Sequence, residues 1–452
     1  MPSQGFQLTP EQIARREARK RKRDDAQASG ASTPRALPED DERARIVPRP
    51  WLSVREAQAG AERLKVMTWN LLAQCLVRRE LFPVSDCLKG AQREHMIYRE
   101  ILSPNADILC LQEVDRLEKL LPIIESGGYE HVYAAGPRKK HGSLIAYRRG
   151  VFTKIKTHVL DFDTAQVRDK SGGDADRGCT GLSHVTKNVA NIVALKREGT
   201  EDGGVIVATT HLFWHPSYSY ERARQAGILL REVTKFRDAN DCANWPCILA
   251  GDFNFSPTDP GYSLLVGAPL LPAQHDLLSQ SCVVHLSVDP SVAPTTPKST
   301  SAGADDDDEE GGADPDRVIK NARPARPSDG LLTAAELAAL FETPARPRSA
   351  YDAGQRLLAH SAEPSIARCG DRLALPPARL GAYEPEWTSY THYWKTVLDY
   401  IFVIDPPDRV SAVVGLLKPH QTSDLDPGIP RKGISGSDHV SLAAELQWQN
   451  VP

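Results

Sequence analysis

Long apolar runs are missing from this 452-residue chain. Nothing in it approaches the ~18 to 20 consecutive apolar residues of a membrane-spanning helix, which excludes a helical spanning protein. Cysteine pairs are missing too. The eight cysteines, at 75, 87, 110, 179, 242, 247, 282 and 369, form no CxxC and no finger-like spacing. In a chain of this length they read as reduced intracellular thiols, not as a zinc site or a disulfide frame. No apolar stretch follows the basic start Met1 to Arg23, so no secretory signal is expected. Internal repeats with a period of about 20 to 50 residues are absent. Charge of one sign is not in excess either, with 55 Lys+Arg against 59 Asp+Glu and a formal net charge of −4.

The near-neutral total hides an uneven distribution. Arg15 to Arg23 (RREARKRKR) carries seven basic residues and one acid, a local charge of +6, whereas Ser301 to Asp316 carries eight acids and no base. Residues 1–60 are rich in Arg, Asp, Ala and Pro without a strand-like run, which predicts a basic tail with a short helix over roughly 10–23. A Pro, Ser and acid-rich composition at about 285–350 predicts a low-complexity insertion that supports no core. Within it, Leu331 to Phe341 (LLTAAELAALF) predicts a helix, either docked on the domain or free as a partner motif. Arg168 to Lys187 reads as a polar loop. With 40% hydrophobic and 25% charged residues, the remainder of 61–450 can build a sizeable domain.

In that remainder short apolar runs alternate with helical patterns. The runs are Lys65 to Trp69, Asp107 to Leu111, Ser143 to Tyr147, Val189 to Leu195, Val205 to Thr210, Cys247 to Ala250 and Val397 to Ile404. Ala223, Ala226, Leu230 and Val233 recur at three and four, giving a helix over Tyr220 to Phe236 one apolar face. The alternation predicts an α/β or layered α+β domain.

Polar residues follow these runs. Asn70 follows VMTW, Glu113 follows ILCLQ, His211 follows VIVATT, and Asp252 and Asn254 follow CILAG; Asp399 lies within the last run, and Asp438-His439 opens the final one. Singly, each has an ordinary explanation as a turn residue, a helix-start acid or a hydrogen-bonded core histidine. Together they offer carboxylate and amide oxygens, without thiolate, at strand ends. That chemistry suits a hard cation, Mg²⁺ or Mn²⁺, beside histidines able to stabilise a reacting phosphate.

The stretches VMTWNLLAQ, DILCLQEVD, ATTHLFWHP, ILAGDFN, VLDYIF and SDHVSL resemble, in order and spacing, the motifs of the endonuclease–exonuclease–phosphatase superfamily. NLLAQ, HLFWHP with Arg222 to Gln225, and EWTSYTHYWKTVLDYIF look like its nocturnin, Angel and carbon-catabolite-repressor deadenylase group, here without a preceding leucine-rich repeat. The resemblance implies a four-layer α/β sandwich, two mixed sheets face to face with helices outside. It implies Glu113, Asn70 and Asp438 as Mg²⁺ ligands, with Mn²⁺ as the alternative ion. Asp252 would orient or deprotonate water, Asn254 would hold the scissile phosphate, and His439, steadied by Asp399, would stabilise developing charge. His211 would add a second cationic or donor contact.

The implied reaction is 3′→5′ hydrolysis of single-stranded RNA ends, as in RNA 3′-end maturation or poly(A) shortening, releasing nucleoside 5′-monophosphates. A nocturnin-like nucleotide 2′-phosphatase is the first alternative, and a catalytically dead RNA-binding protein the second. Asn188, Trp214, Arg222, Lys139 and Lys140 are candidate substrate contacts. Tyr218 and Trp387 are stacking platforms or packed core; two of the three aromatics, counting Trp214, are expected in the core. No membrane partner is expected, and no protein partner is implied. The basic run would serve as a nuclear or nucleolar address or as an RNA tether, with the cytoplasm as the alternative compartment.

Overall fold

The computed structural model describes residues 41–168, 176–294, 318–360 and 366–450. Two large sheets organise the described residues. Their strands, in chain order, are β1 (Trp51–Ser53), β2 (Arg63–Asn70), β3 (Ile108–Val114), β4 (Tyr129–Ala134), β5 (Gly142–Arg148), β6 (Phe152–Asp161), β7 (Val189–Arg197), β8 (Gly204–His211), β9 (Cys247–Asp252), β10 (Arg348–Ser349), β11 (Asp399–Ile404), β12 (Arg409–Leu417) and β13 (Leu442–Asn450). One sheet has the order β1-β12-β13-β2-β3-β5-β4 and the other β10-β11-β9-β8-β7-β6. Both are mixed: β2 runs parallel to β3, and β8 parallel to β9, within otherwise antiparallel ladders.

Side chains of a strand point alternately to its two faces, so each strand has two jobs. Leu64 and Val66 of β2, Ile108 and Cys110 of β3, Val205 and Val207 of β8, and Ile248 and Ala250 of β9 meet in one buried cluster between the sheets. The residues between them along each strand face outward. Met67, Trp69, Leu109 and Leu111 pack under α1 (Gly90–Leu102) and α2 (Leu117–Ser126) through Tyr98, Ile101, Leu120 and Ile123. On the other side Ile206, Ala208, Leu249 and Phe402 pack under α3 (Ser219–Ala239) and α4 (Pro260–Val266). Ala223, Ala226, Leu230 and Val233 form the buried face of α3. The result is helix, sheet, sheet, helix: the four-layer sandwich.

Three stretches carry more structure than composition predicts. The expected tail 1–60 already belongs to the fold after residue 40. There β1 pairs with β12, Trp51 opposite Leu417, and the guanidinium of Arg49 is buried against Glu100 and Ser441. In the expected insertion 285–350, residues 318–350 fold as well. Ala322–Pro324 pairs with Val283–His285. A helix, α5 (Ala334–Ala339), starts at Thr333, whose backbone N–H donates to Glu336 at 2.8 Å in a capping box. Leu332, Leu337, Leu340 and Phe341 are buried with the residues of α3. Docking is close because position 227 is glycine: a Cβ there would lie 2.7 Å from the Leu340 Cβ. Segment 331–341 is therefore a docked element, not a free motif. The polar loop 168–187 contains a short helix, Asp176–Thr180, and Arg168 ties it to α5 through Glu336 at 2.6 Å. The basic helix expected over 10–23 and the acidic run lie outside the described residues.

All eight cysteines are free. No helix of the described residues is long and apolar enough to cross a membrane.

Replacing a buried leucine by alanine in a packed element costs about 2 to 5 kcal/mol. Leu337→Ala is expected to lower the urea-derived unfolding free energy by an amount in that range. A loss below about 0.5 kcal/mol, the usual value for a surface change, would mean that 331–341 is peripheral to the fold.

Candidate active site

The inward rows of both sheets change character at one end of the sandwich. On β2 the row runs Val66, Thr68, Asn70; on β3, Ile108, Cys110, Gln112; on β8, Val207, Thr209, His211; on β9, Ile248, Ala250, Asp252. On antiparallel β11 it runs backwards, Val403, Ile401, Asp399. Strand pairing sets these ends level: Asn70 lies opposite Gln112, His211 opposite Asp252, and Asp399 opposite Asp252. Gln112 marks the boundary. Its Nε2 donates to Thr68 Oγ1 at 3.2 Å and to Thr209 Oγ1 on the facing sheet at 2.9 Å.

Two site residues depart from strand geometry to reach this level. A register shift between Leu111 and Val114, with φ of 56° at Glu113, turns that carboxylate into the cleft. Asn254 has φ of 51°. Left-handed backbone at a non-glycine residue costs about 1 kcal/mol or more, and it persists where the surroundings over-determine it. Here they do: Glu113 Oε1 accepts from Asn70 Nδ2 at 2.8 Å and Oε2 from Ala73 N at 2.8 Å. The Asn254 N–H donates to Asp252 Oδ1 at 3.0 Å, and its Nδ2 to Leu212 O at 2.9 Å.

Asp252 sits at the centre. Its Oδ2 accepts from Asn70 Nδ2 at 3.0 Å and lies 3.6 Å from His211 Nε2 and 3.8 Å from His439 Nε2. His439 Nδ1 bonds Asp399 Oδ2 at 2.8 Å. His211 Nδ1 lies 3.9 Å from Glu113 Oε1. The Ser437 hydroxyl donates to Asn70 O at 2.6 Å, linking the last site segment to the first. The structure thus brings Asn70, Glu113, His211, Asp252, Asn254, Asp399, Asp438 and His439 to one cleft end.

Electrostatics divides the two histidines. Burial disfavours charge on both. At His439 the carboxylates of Asp399, Asp438 and Asp252 overcome it and hold the imidazolium well above the ordinary histidine value. At His211 burial outweighs Asp252 and Glu113, so its value falls. Of the two roles open to His211, cation or donor, its surroundings favour the neutral donor. Burial and the neighbouring Asp399 push the Asp252 carboxyl up, against the pull of His211, His439 and Asn70. Burial alone would raise Glu113, yet the imidazoles of His211 and His141, with the Asn70 and Ala73 hydrogen bonds, keep it below the ordinary value.

Two clusters could attract a cation. Donor atoms of Asp252, Asp399 and His439 lie within 4.8 Å of one another. The Nδ1 of His439 is, however, committed to Asp399, which makes this group a hydrogen-bonded relay and a poor cage. Glu113 and Asp438 fit better. Both line the cleft, and burial together with the charge of Glu113 raises the Asp438 carboxyl against the pull of His439 and Arg93. Carboxylate and amide oxygens without sulfur suit a hard divalent ion.

The expected substrate contacts separate. Lys139 Nζ donates to Asn188 Oδ1 at 2.6 Å, and both line a small cleft with Glu113 and His211. Trp214 lines the main cleft. Arg222 also borders it, but its guanidinium is 2% exposed and paired with Asp259 at 2.9 Å, so it braces the His215–Pro216 loop. Lys140 is exposed and lies outside the residues lining either cleft. Tyr218 and Trp387 are packed, at 2% and 8% exposure. Sequence reading gave no role to Ser437, Trp394 or Arg93. Trp394 stood within a quoted motif, whereas Arg93 lies in an unremarkable helix and only its contacts reveal it.

The raised His439 value keeps its ring charged until pH climbs through that value. Removing the Asp399 charge lowers it, so Asp399→Asn is expected to move the alkaline limb of the pH–rate profile to lower pH and to reduce the rate at neutral pH by about 100-fold or more. An unmoved alkaline limb would dissociate His439 charge from turnover.

A profile of the Endonuclease/Exonuclease/phosphatase family matches residues 67–439. The chain is 28% identical, over 493 residues, to a Saccharomyces cerevisiae protein named RNA exonuclease NGL2, across 98% of this chain and 89% of that one. It is 29% identical, over 416 residues, to a Schizosaccharomyces pombe protein named a probable RNA exonuclease, across 87% of this chain and 77% of that one. Among solved structures, ANGEL2, a 2′,3′-cyclic phosphatase in complex with adenosine-2′,3′-vanadate, covers 89% of this chain with a TM-score of 0.57 at 19% identity, a likeness of fold. The profile runs from β2 to His439 and so takes in the strand ends and loops that build the cleft: this chain belongs to the endonuclease/exonuclease/phosphatase family.

Proposed function

We propose that the chain is a Mg²⁺-dependent 3′→5′ exoribonuclease that hydrolyses the terminal phosphodiester of single-stranded RNA and releases nucleoside 5′-monophosphates. The observation that carries this reading is the cleft of about 460 Å³ that opens from Asp252, Asn254, His211 and His439 and is walled by Trp214 and Trp394. Reacting groups at the floor and indole rings along the sides suit an unpaired base with its phosphate below. Relatives named as RNA exonucleases, matching nearly the whole chain, support the same substrate class.

In this reading Glu113 and Asp438, with Asn70 beside them, hold the cation. When bound it supplies Lewis-acid polarisation of the phosphate oxygen. Asp252, its carboxyl raised by burial, orients water and accepts its proton. The water oxygen bonds to phosphorus as the bond to O3′ breaks. The His439 cation, fixed by Asp399, faces the charge gathering on phosphate, and neutral His211 donates a hydrogen bond. Asn254 has an amide hydrogen left for the scissile phosphate after its bond to Leu212 O. Lys139 and Asn188 carry a neighbouring backbone phosphate. A nuclear or nucleolar address in Arg15 to Arg23 belongs to the same proposal.

The test gives the purified chain Mg²⁺ and 5′-labelled oligo(A), mixed-sequence RNA, or NADPH, beside Asp252→Ala and Glu113→Ala. Stepwise shortening of RNA, reduced about 10³-fold or more by either substitution, is expected. Phosphate release from NADPH with intact RNA would reassign the site to a nucleotide 2′-phosphatase. RNA binding without turnover in any divalent ion would overturn both.

A further inference from the structure

Arg93, in the middle of α1, is a heavily engaged cation near the site that the proposed chemistry leaves unused. It is 2% exposed. Its Nε donates to Gly436 O at 2.6 Å, its Nη2 to Leu71 O at 2.6 Å and also to Leu72 O, and its Nη1 to Gln74 Oε1 at 3.4 Å. The acceptors belong to two loops far apart in sequence. One leaves β2 just after Asn70; the other precedes Asp438 by two residues.

Each loop is shaped for this grip. Leu72 adopts φ of 57°, a left-handed turn that an L side chain seldom takes. Its N–H donates to Asn70 Oδ1 at 3.0 Å, and the next N–H, of Ala73, donates to Glu113 Oε2. The loop held by Arg93 therefore orients both Asn70 and Glu113. On the other side, position 436 must be glycine for the chain to lie against α1: a Cβ there would come 2.9 Å from Arg93 O and 2.8 Å from Ile97 Cγ1. Ser437 then joins the loops through its bond to Asn70 O. A guanidinium suits this position because its donors are fixed in one plane and point in different directions, whereas an ammonium gathers them at one atom.

We propose that Arg93 is a positioning residue for the cation site: one guanidinium fixes the loop behind Asn70 and Glu113 and the loop before Asp438 at the separation that lets all three address a single divalent ion. This rests on the cation assignment made above but not on the identity of the RNA substrate. Arg93 acts through the loops that carry the ligands, so its loss weakens ion binding and turnover together and leaves the nucleotide walls of the cleft in place. Outer residues that orient metal ligands are typically worth 10- to 100-fold in affinity or activity.

The test measures Mn²⁺ binding directly by calorimetry on the full chain, without RNA, for Arg93→Lys, Arg93→Gln and Glu100→Gln. Glu100 lies on the same helix, but its carboxylate holds Arg49 and Ser441 instead. Arg93→Lys is expected to weaken Mn²⁺ binding about tenfold and Arg93→Gln about 100-fold, with kcat falling in step and KM for RNA within about twofold. Glu100→Gln is expected to lower Tm while keeping wild-type Mn²⁺ affinity. Equal losses of affinity in the Glu100 and Arg93 variants, or folded Arg93 variants with wild-type affinity, would overturn the proposal. A second measurement needs no variant. In the unmodified protein, Mn²⁺ is expected to slow amide exchange in 71–73 and 436–439 over the same concentration range. One loop responding without the other would overturn it equally. Absent RNA cleavage with the Mn²⁺ pattern intact would count against the exoribonuclease reading alone.

Discussion

Two sheets stacked face to face must agree on where their shared apolar contact ends, because a polar side chain left inside that contact without a partner is costly. Here the agreement is made by register. Each inward row passes from Val or Ile, in four of the five through Thr, Cys or Ala, to an amide, imidazole or carboxylate, and strand pairing places these transitions side by side. Gln112, bridging Thr68 and Thr209, begins the zone in which the sheets touch through paired polar groups, and the bond from Asn70 to Asp252 continues it. Beyond it the rows diverge into a cleft. The site is thus the polar edge of the core, built on the ends of its strands.

That origin explains how much was legible without coordinates. Polar residues that terminate apolar runs could be read directly, and their ordered motifs implied a sandwich before any strand was paired. Lost from view were elements whose burial leaves no simple pattern. Strand β6, for example, lies at a sheet edge and exposes residues 153–159 on both faces, so it carries no alternation to read. Segment 331–341 looked equally like a free motif because its partner groove depends on a single glycine, Gly227, far away in sequence. Arg222 resembled a substrate contact, but a buried ion pair and a phosphate-binding arginine look identical until Asp259 is seen beside it. Composition also misjudged 41–53, where a three-residue strand and one arginine bind an otherwise polar stretch to the fold.

The two histidines give the same lesson in electrostatic form. Both stand close to Asp252, yet one has its value raised and the other lowered. The difference is the direct bond from Asp399, itself fixed by the pairing of β11 with β9. Topology thereby decides which imidazole is raised and which is lowered, although nothing in the residue type distinguishes them.

The rung that sets Asp399 beside Asp252 has a consequence beyond chemistry. One carboxylate oxygen of Asp399 is buried without a hydrogen-bond partner, and Glu113 and Asp438 crowd the same cleft. Anions gathered in this way oppose the folded state, and any divalent ion that binds the assembled site but not the unfolded chain relieves them by mass action. On the proposed cation assignment, occupancy of the site becomes a term in the folding equilibrium of the whole sandwich, and cation supply is then coupled to the amount of folded chain as well as to its rate of work.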